Sequence, residues 1–157
     1  MAEQEGYLKD IDSRIIEDLE PVLKAMGIAL VECNVAIVKQ VYNIRLVIFR
    51  AEGISLKDCE DVHKIIKPRL DLLIDSRDLS LEITSPGIDR RIKSSREYDI
   101  FKGKFVKILL ESSNDWISGK IVESDGVTLV LIIDDKKVSY SLDQVRKGKL
   151  DYTMEAR

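Results

Sequence analysis

The chain is poor in the side chains that perform chemistry. Its 157 residues include one histidine, two cysteines and one tryptophan. His63 stands alone on an amphipathic stretch, and no serine or cysteine has a second base to build a nucleophilic system. Cys33 and Cys59 lie far apart and form no C-x-x-C. Each falls on an apolar periodicity, so they read as reduced, buried thiols and not as a disulfide or a metal pair. The eight glycines make neither a G-x-G-x-x-G fingerprint nor a P-loop. Acid neighbours such as Asp134 and Asp135, or Glu60 and Asp61, diverge in any regular element and cannot act as a pair. No catalytic residue, metal site or cofactor is expected.

Long apolar runs are also missing. No stretch approaches the roughly 20 residues of a membrane span, and the acidic opening "MAEQEGYLKD" lacks the apolar core of a secretory signal. A cytoplasmic protein with no membrane partner is expected. What the chain does have is 45% hydrophobic and 34% charged residues, enough for a packed core under a well-solvated surface. The net charge of -3 is unevenly spread. Residues 1–92 carry 13 Lys and Arg against 17 Asp and Glu, whereas residues 93–157 carry 12 against 11.

The patterning supplies the elements. Leu8, Ile11, Ile15, Leu19, Val22 and Met26 recur at three- and four-residue steps, the stripe of an amphipathic helix that Pro21 interrupts and Gly27 ends. Two period-two runs follow, Val31/Cys33/Val35/Ile37 and Ile44/Leu46/Ile48, joined around Lys39 and Gln40 as a hairpin. Ser55 with Asp58 forms a capping box before a second helix, whose buried stripe is expected to hold Leu56, Cys59, Val62, Ile66 and Leu70. Pro68 should bend or restart that helix. Leu79, Leu81 and Ile83 mark a third strand.

The order α-β-β-α-β is an α+β layer of KH type without the G-x-x-G loop that clamps a backbone. After a short helix capped by Ser94, five closely spaced strands suggest a small β-barrel. The composition shift divides the chain into domains at 1–92 and 93–157. In the second domain Trp116, Tyr140 and Tyr152 read as core aromatics, with base stacking as the competing use.

Between the two lies "SPGIDRRIKS". Pro86 and Gly87 are expected to make a type II turn with Gly87 at positive φ. Asp89 is placed to cap the following amides or to pair with Arg90. From Arg90 to Lys107 there are seven cations against Glu97 and Asp99. This stretch is either a structural junction or a phosphate-facing strip, with Ser85, Gly87, Asp89, Arg90, Arg91, Lys93 and Lys104 as the candidate binding residues.

The segments "GISLKDCEDVHKIIKPRLD", "LEITSPGIDRRI" and "FKGKFVKI", in that order, resemble the bacterial ribosome maturation factor RimP family over nearly the whole chain. Two departures stand out: Arg91 occupies a position where the family usually has proline, and the connection "IDSRD" is short. The resemblance implies an SH3- or Sm-like C-terminal barrel and a non-enzymatic assembly factor. It further implies the 30S subunit precursor and small-subunit ribosomal protein twelve as partners. The uneven charge, and not the resemblance, suggests 16S rRNA as a further contact, facing the basic junction. A free-standing RNA-binding regulator built on the barrel is the alternative.

Overall fold

In the computed structural model, residues 2–74 and 78–155 are described, with side chains from residue 10 to residue 154. Leu8 of the first stripe and the centre of "IDSRD" fall outside those limits. Helix α1 (Ala2–Ala25) buries Ile11, Ile15, Leu19 and Leu23 on one face. Each of the last three contributes roughly 1.5–3 kcal/mol by leaving water. The stripe runs through Leu23, with Val22 and Met26 at its margin. Pro21 does not end the helix: it is exposed, as is Glu17, whose carbonyl it leaves without an intrahelical donor. Gly27 closes the helix at φ 75°, donating to Lys24 while Ile28 donates back to Leu23, both at 2.9 Å.

Strands β1 (Ala29–Val38) and β2 (Val41–Phe49) form the expected hairpin, turned by Lys39 and Gln40, both at positive φ. One detail differs from the period-two reading. The pairing slips between Leu30 and Glu32, leaving Val31 as the extra residue of a bulge. The slip changes parity, so Leu30 joins Cys33 and Val35 on the core face in place of Val31. Strand β3 (Leu79–Thr84) lies parallel to β2, giving the order β1-β2-β3 with β2 central.

Helix α2 (Leu56–Leu73) runs unbroken through Pro68, which is exposed, as is Lys64 four residues back. Val62, Ile66 and Leu70 are fully buried as the spacing predicts. Leu56 is not: it is 78% exposed, and Ile54 before the cap packs on the core instead. The capping box is complete, with Asp58 N–H donating to Ser55 Oγ at 3.0 Å and Ser55 N–H to Asp58 Oδ2 at 2.8 Å. Arg50 reaches the same carboxylate at 3.1 Å and donates to the Met26 carbonyl at 3.2 Å. One guanidinium thus ties the end of β2 to the end of α1 and the start of α2. The Ser55 amide and hydroxyl, with Arg50, hold the Asp58 carboxyl below the usual carboxylate range. Its contribution to stability is present above the ordinary carboxylate pKa and lost as pH falls through the lowered one.

The second unit comprises α3 (Glu97–Ile100), β4 (Phe105–Leu110), β5 (Trp116–Ser124), β6 (Thr128–Ile133), β7 (Lys136–Ser141), β8 (Val145–Leu150) and α4 (Tyr152–Glu155). All five expected strands are present in one antiparallel sheet, ordered β7-β6-β5-β4-β8. Val106, Ile108, Ile121, Leu129 and Leu131 are buried, together with Phe101 of the preceding turn. The sheet is not closed into a barrel, because β7 and β8 do not pair. Residues 90–92 occupy the outer edge of β8: Leu150 N–H donates to the Arg90 carbonyl at 2.9 Å and Ile92 N–H to the Gly148 carbonyl at 2.8 Å. The compact units are accordingly 1–86 and 87–157, dividing ahead of the expected boundary at Ile92.

Candidate binding site

The turn at 87–90 is built differently from its sequence reading. Arg90 N–H donates to the Gly87 carbonyl at 3.1 Å, so Gly87 opens the turn and Ile88 and Asp89 form its corners. Gly87 is not among the residues at positive φ, and a Cβ there would meet only Asp89 Oδ1 at 3.6 Å, an ordinary contact. Ser85, Gly87 and Asp89 are exposed.

The two arginines that follow have opposite fates. Arg90 turns inward, its side chain 8% exposed, and its Nε donates to Glu97 Oε1 at 2.8 Å. Asp89 is not its partner. Glu97, with a side chain 2% exposed, takes three further hydrogen bonds at Oε2. These come from the amides of Lys93 and Ser94, both at 3.1 Å, and from the Ser94 hydroxyl at 3.4 Å. The expected cap is therefore half present. Glu97 reaches back to Ser94 as in a capping box, while the serine hydroxyl donates to it and caps no amide. Four donors around one carboxylate make this a buried charge that is paired and satisfied. Arg90 belongs to the interior of the second unit and not to a phosphate-facing strip.

Arg91 faces outward. It is exposed and sits opposite Lys149 of β8. Lys149 lies opposite Lys107 of β4, and Lys107 opposite Ser118 of β5. Residues paired across a sheet project from one face, so Arg91, Lys149 and Lys107 form a cationic row. Like charges directly opposite one another destabilise a sheet. One anion tempers the row. Asp151, 5% exposed, accepts from the Ser118 hydroxyl at 2.9 Å and from Thr153. Burial works to raise its pKa, but those hydrogen bonds and the charge of Lys107 prevail and hold it below the usual range.

Trp116 stands on the same face, two residues before Ser118. It is 42% exposed, and the ammonium groups of Lys107 and Lys149 lie 5.6 and 5.5 Å from its ring centroid. Tyr152 is 52% exposed and Tyr140 half-buried. The core reading of these aromatics therefore fails for Trp116 and Tyr152, because the inward positions of the sheet are already filled by aliphatic side chains. Of the other candidates, Lys93 is exposed and Lys104 half-buried, and neither is part of the ladder 91–149–107. Sequence reasoning missed Lys149, Lys107 and Trp116 as a group. The alternation of Lys147 and Lys149 on β8 was the available signal.

Chemistry elsewhere is subdued. Among the described residues no group of three His, Cys, Asp or Glu side chains is arranged to hold a metal ion. Both cysteines are free. Burial, with Asp12 and Glu32 nearby, pushes the Cys33 thiol up to about 12, and burial with Asp58 raises Cys59. Neither is a thiolate at neutral pH. Among the described residues no helix is long and apolar enough to cross a membrane.

These features define a two-unit protein of mixed α+β class, an α-β-β-α-β layer followed by a five-stranded β domain with a cationic, tryptophan-bearing face. A family profile, the RimP N-terminal domain, matches residues 18–89. The ribosome maturation factor RimP of Borrelia recurrentis (strain A1) is 32% identical over 139 residues, covering 88% of this chain and 95% of that protein. That of Borrelia turicatae (strain 91E135) is 31% identical over 144 residues, covering 91% and 99%. The chain belongs to the RimP family.

Proposed function

We propose that this protein is a ribosome maturation factor that binds the 30S subunit precursor and assists small-subunit assembly without catalysis. The name shared by its relatives supports the ribosomal role. The observation that carries the binding mode is the row of Arg91, Lys149 and Lys107, an outward track of charge suited to phosphates. The balance of charge between the units supports a division of labour. Residues 1–86 carry 11 Lys and Arg against 16 Asp and Glu, and residues 87–157 carry 14 against 12. The acidic unit suits a basic partner such as ribosomal protein twelve, and the cationic face suits 16S rRNA. Holding both would lower the entropic cost of their meeting.

The exposed Trp116 favours one other reading, a regulator that binds free RNA. A sucrose gradient separates the two. The assembly role predicts co-migration with immature 30S particles at moderate salt. Migration at the top of the gradient, with binding only to short free RNA, would overturn it in favour of the regulator.

A further inference from the structure

The side chains around Trp116 are arranged more specifically than a diffuse basic face requires. A tryptophan is among the largest hydrophobic groups a chain can bury, so leaving the single one 42% exposed forgoes stabilisation. The ring is nonetheless placed: it opens β5, opposite Leu109 of β4, with two ammonium groups over it. Both lysines come from the β4 and β8 side of β5. On the other side, the partners of β6 along β5 begin only at Lys120, so among the described residues no strand pairs beside Trp116 there. The ring thus has a cationic flank and, at 42% exposure, surface left to solvent.

We infer that Trp116 is a stacking platform for an unpaired base of single-stranded RNA, with Lys107, Lys149 and Arg91 holding the adjoining phosphates. The inference deepens the proposed rRNA contact and rests on it. A base offers a flat π face to the exposed surface of the indole, while its phosphates meet the cations beside it. Adjacent strands are about 4.8 Å apart, so three cations on three neighbouring strands set a track roughly 10 Å long across the sheet. A double helix hides its bases within the stack and offers no unpaired ring, so it fits the track but not the platform. A basic protein is repelled by this face. An acidic peptide would answer the charge and leave the ring without a stacking partner.

Because Trp116 is the only tryptophan, its fluorescence reports on this site alone. The test titrates an end-labelled oligouridylate of about a dozen nucleotides, within the span of known single-strand sites, with the whole protein, reading binding from the anisotropy of the label and stacking from the indole. Quenching is expected, together with about tenfold weaker binding for Trp116→Ala and near-normal binding for Trp116→Phe. An abasic strand with the same phosphates should bind about tenfold more weakly and leave the fluorescence unchanged. Lys107→Gln with Lys149→Gln should flatten the salt dependence by about 1.4 in log–log slope. Equal binding of the abasic strand by the wild-type protein overturns the platform, and needs no variant to fold. Equal binding of polyglutamate overturns it in favour of an acidic-protein dock. No ribosomal particle is present in this assay, so it can fail while co-migration on the gradient stands.

Discussion

Glu97→Ala is expected to destabilise the second unit by about 3–5 kcal/mol, the range for removing one partner of a buried ion pair. Three consequences add up. The Arg90 guanidinium loses the carboxylate that accepts from its Nε at 2.8 Å, in a site where the arginine side chain is 8% exposed. The amides of Lys93 and Ser94 lose the acceptor that both share. The half-box that starts α3 disappears with them. Urea denaturation should show the fall as a lower midpoint with little change in slope. The pair as such is not required, and a compensated double variant should prove it. Arg90→Met with Glu97→Gln keeps an acceptor for the amides and removes both charges, so most of the lost stability should return. A loss of less than 1 kcal/mol for Glu97→Ala would mean that the pair is solvated and that Arg90 is free to face a ligand.

This prediction separates two residues that look equivalent on the page. "DRR" supplies two adjacent arginines, and alternation in an extended segment sends neighbours to opposite sides. Which one turns inward depends on Glu97, seven residues along, and on the register of residues 90–92 against β8. Neither is visible in local sequence. The same limit explains the other misses. Val31 looked like a member of the Cys33 and Val35 face because a bulge cannot be read from alternation; it is buried all the same, at 2% exposure. Leu56 looked buried because it is the first helical residue, where the helix face has not yet met the sheet. By contrast, the hairpin turn at Lys39 and Gln40, the capping box at Ser55, the stop at Gly27 and all eight strands rest on local chemistry and were legible. The cationic row was not, since its three members are 16 to 58 residues apart in sequence and become neighbours only through strand pairing.

Gly148→Ala should have the second large effect, a loss of about 1–3 kcal/mol from overpacking. Gly148 is buried opposite Ile108, and a Cβ built there would fall on the phenol oxygen of Tyr98, with the ring carbon Cζ next at 3.1 Å. Tyr98 is itself 4% exposed, and burial together with Glu97 pushes its hydroxyl up to about 12. Tyr98→Phe removes the clashing atom. The double variant should therefore recover a large part of the loss, measured as thermal midpoints of the four proteins in the cycle. If Tyr98→Phe gives no rescue, the constraint on Gly148 is the backbone pairing along β8 and not the phenol.

The central claim is that adjacent arginines divide the labour, Arg90 holding the fold while Arg91 and the lysines beside it hold phosphate. Its most direct test is the salt dependence of binding to immature 30S particles, compared between the wild-type protein and Arg91→Ala with Lys149→Ala. Each lost phosphate contact should flatten the log–log slope by about 0.7–0.9, so the double variant should be shallower by roughly 1.5, with a melting temperature no lower than that of the wild type. An unchanged slope with the melting temperature intact would contradict the account.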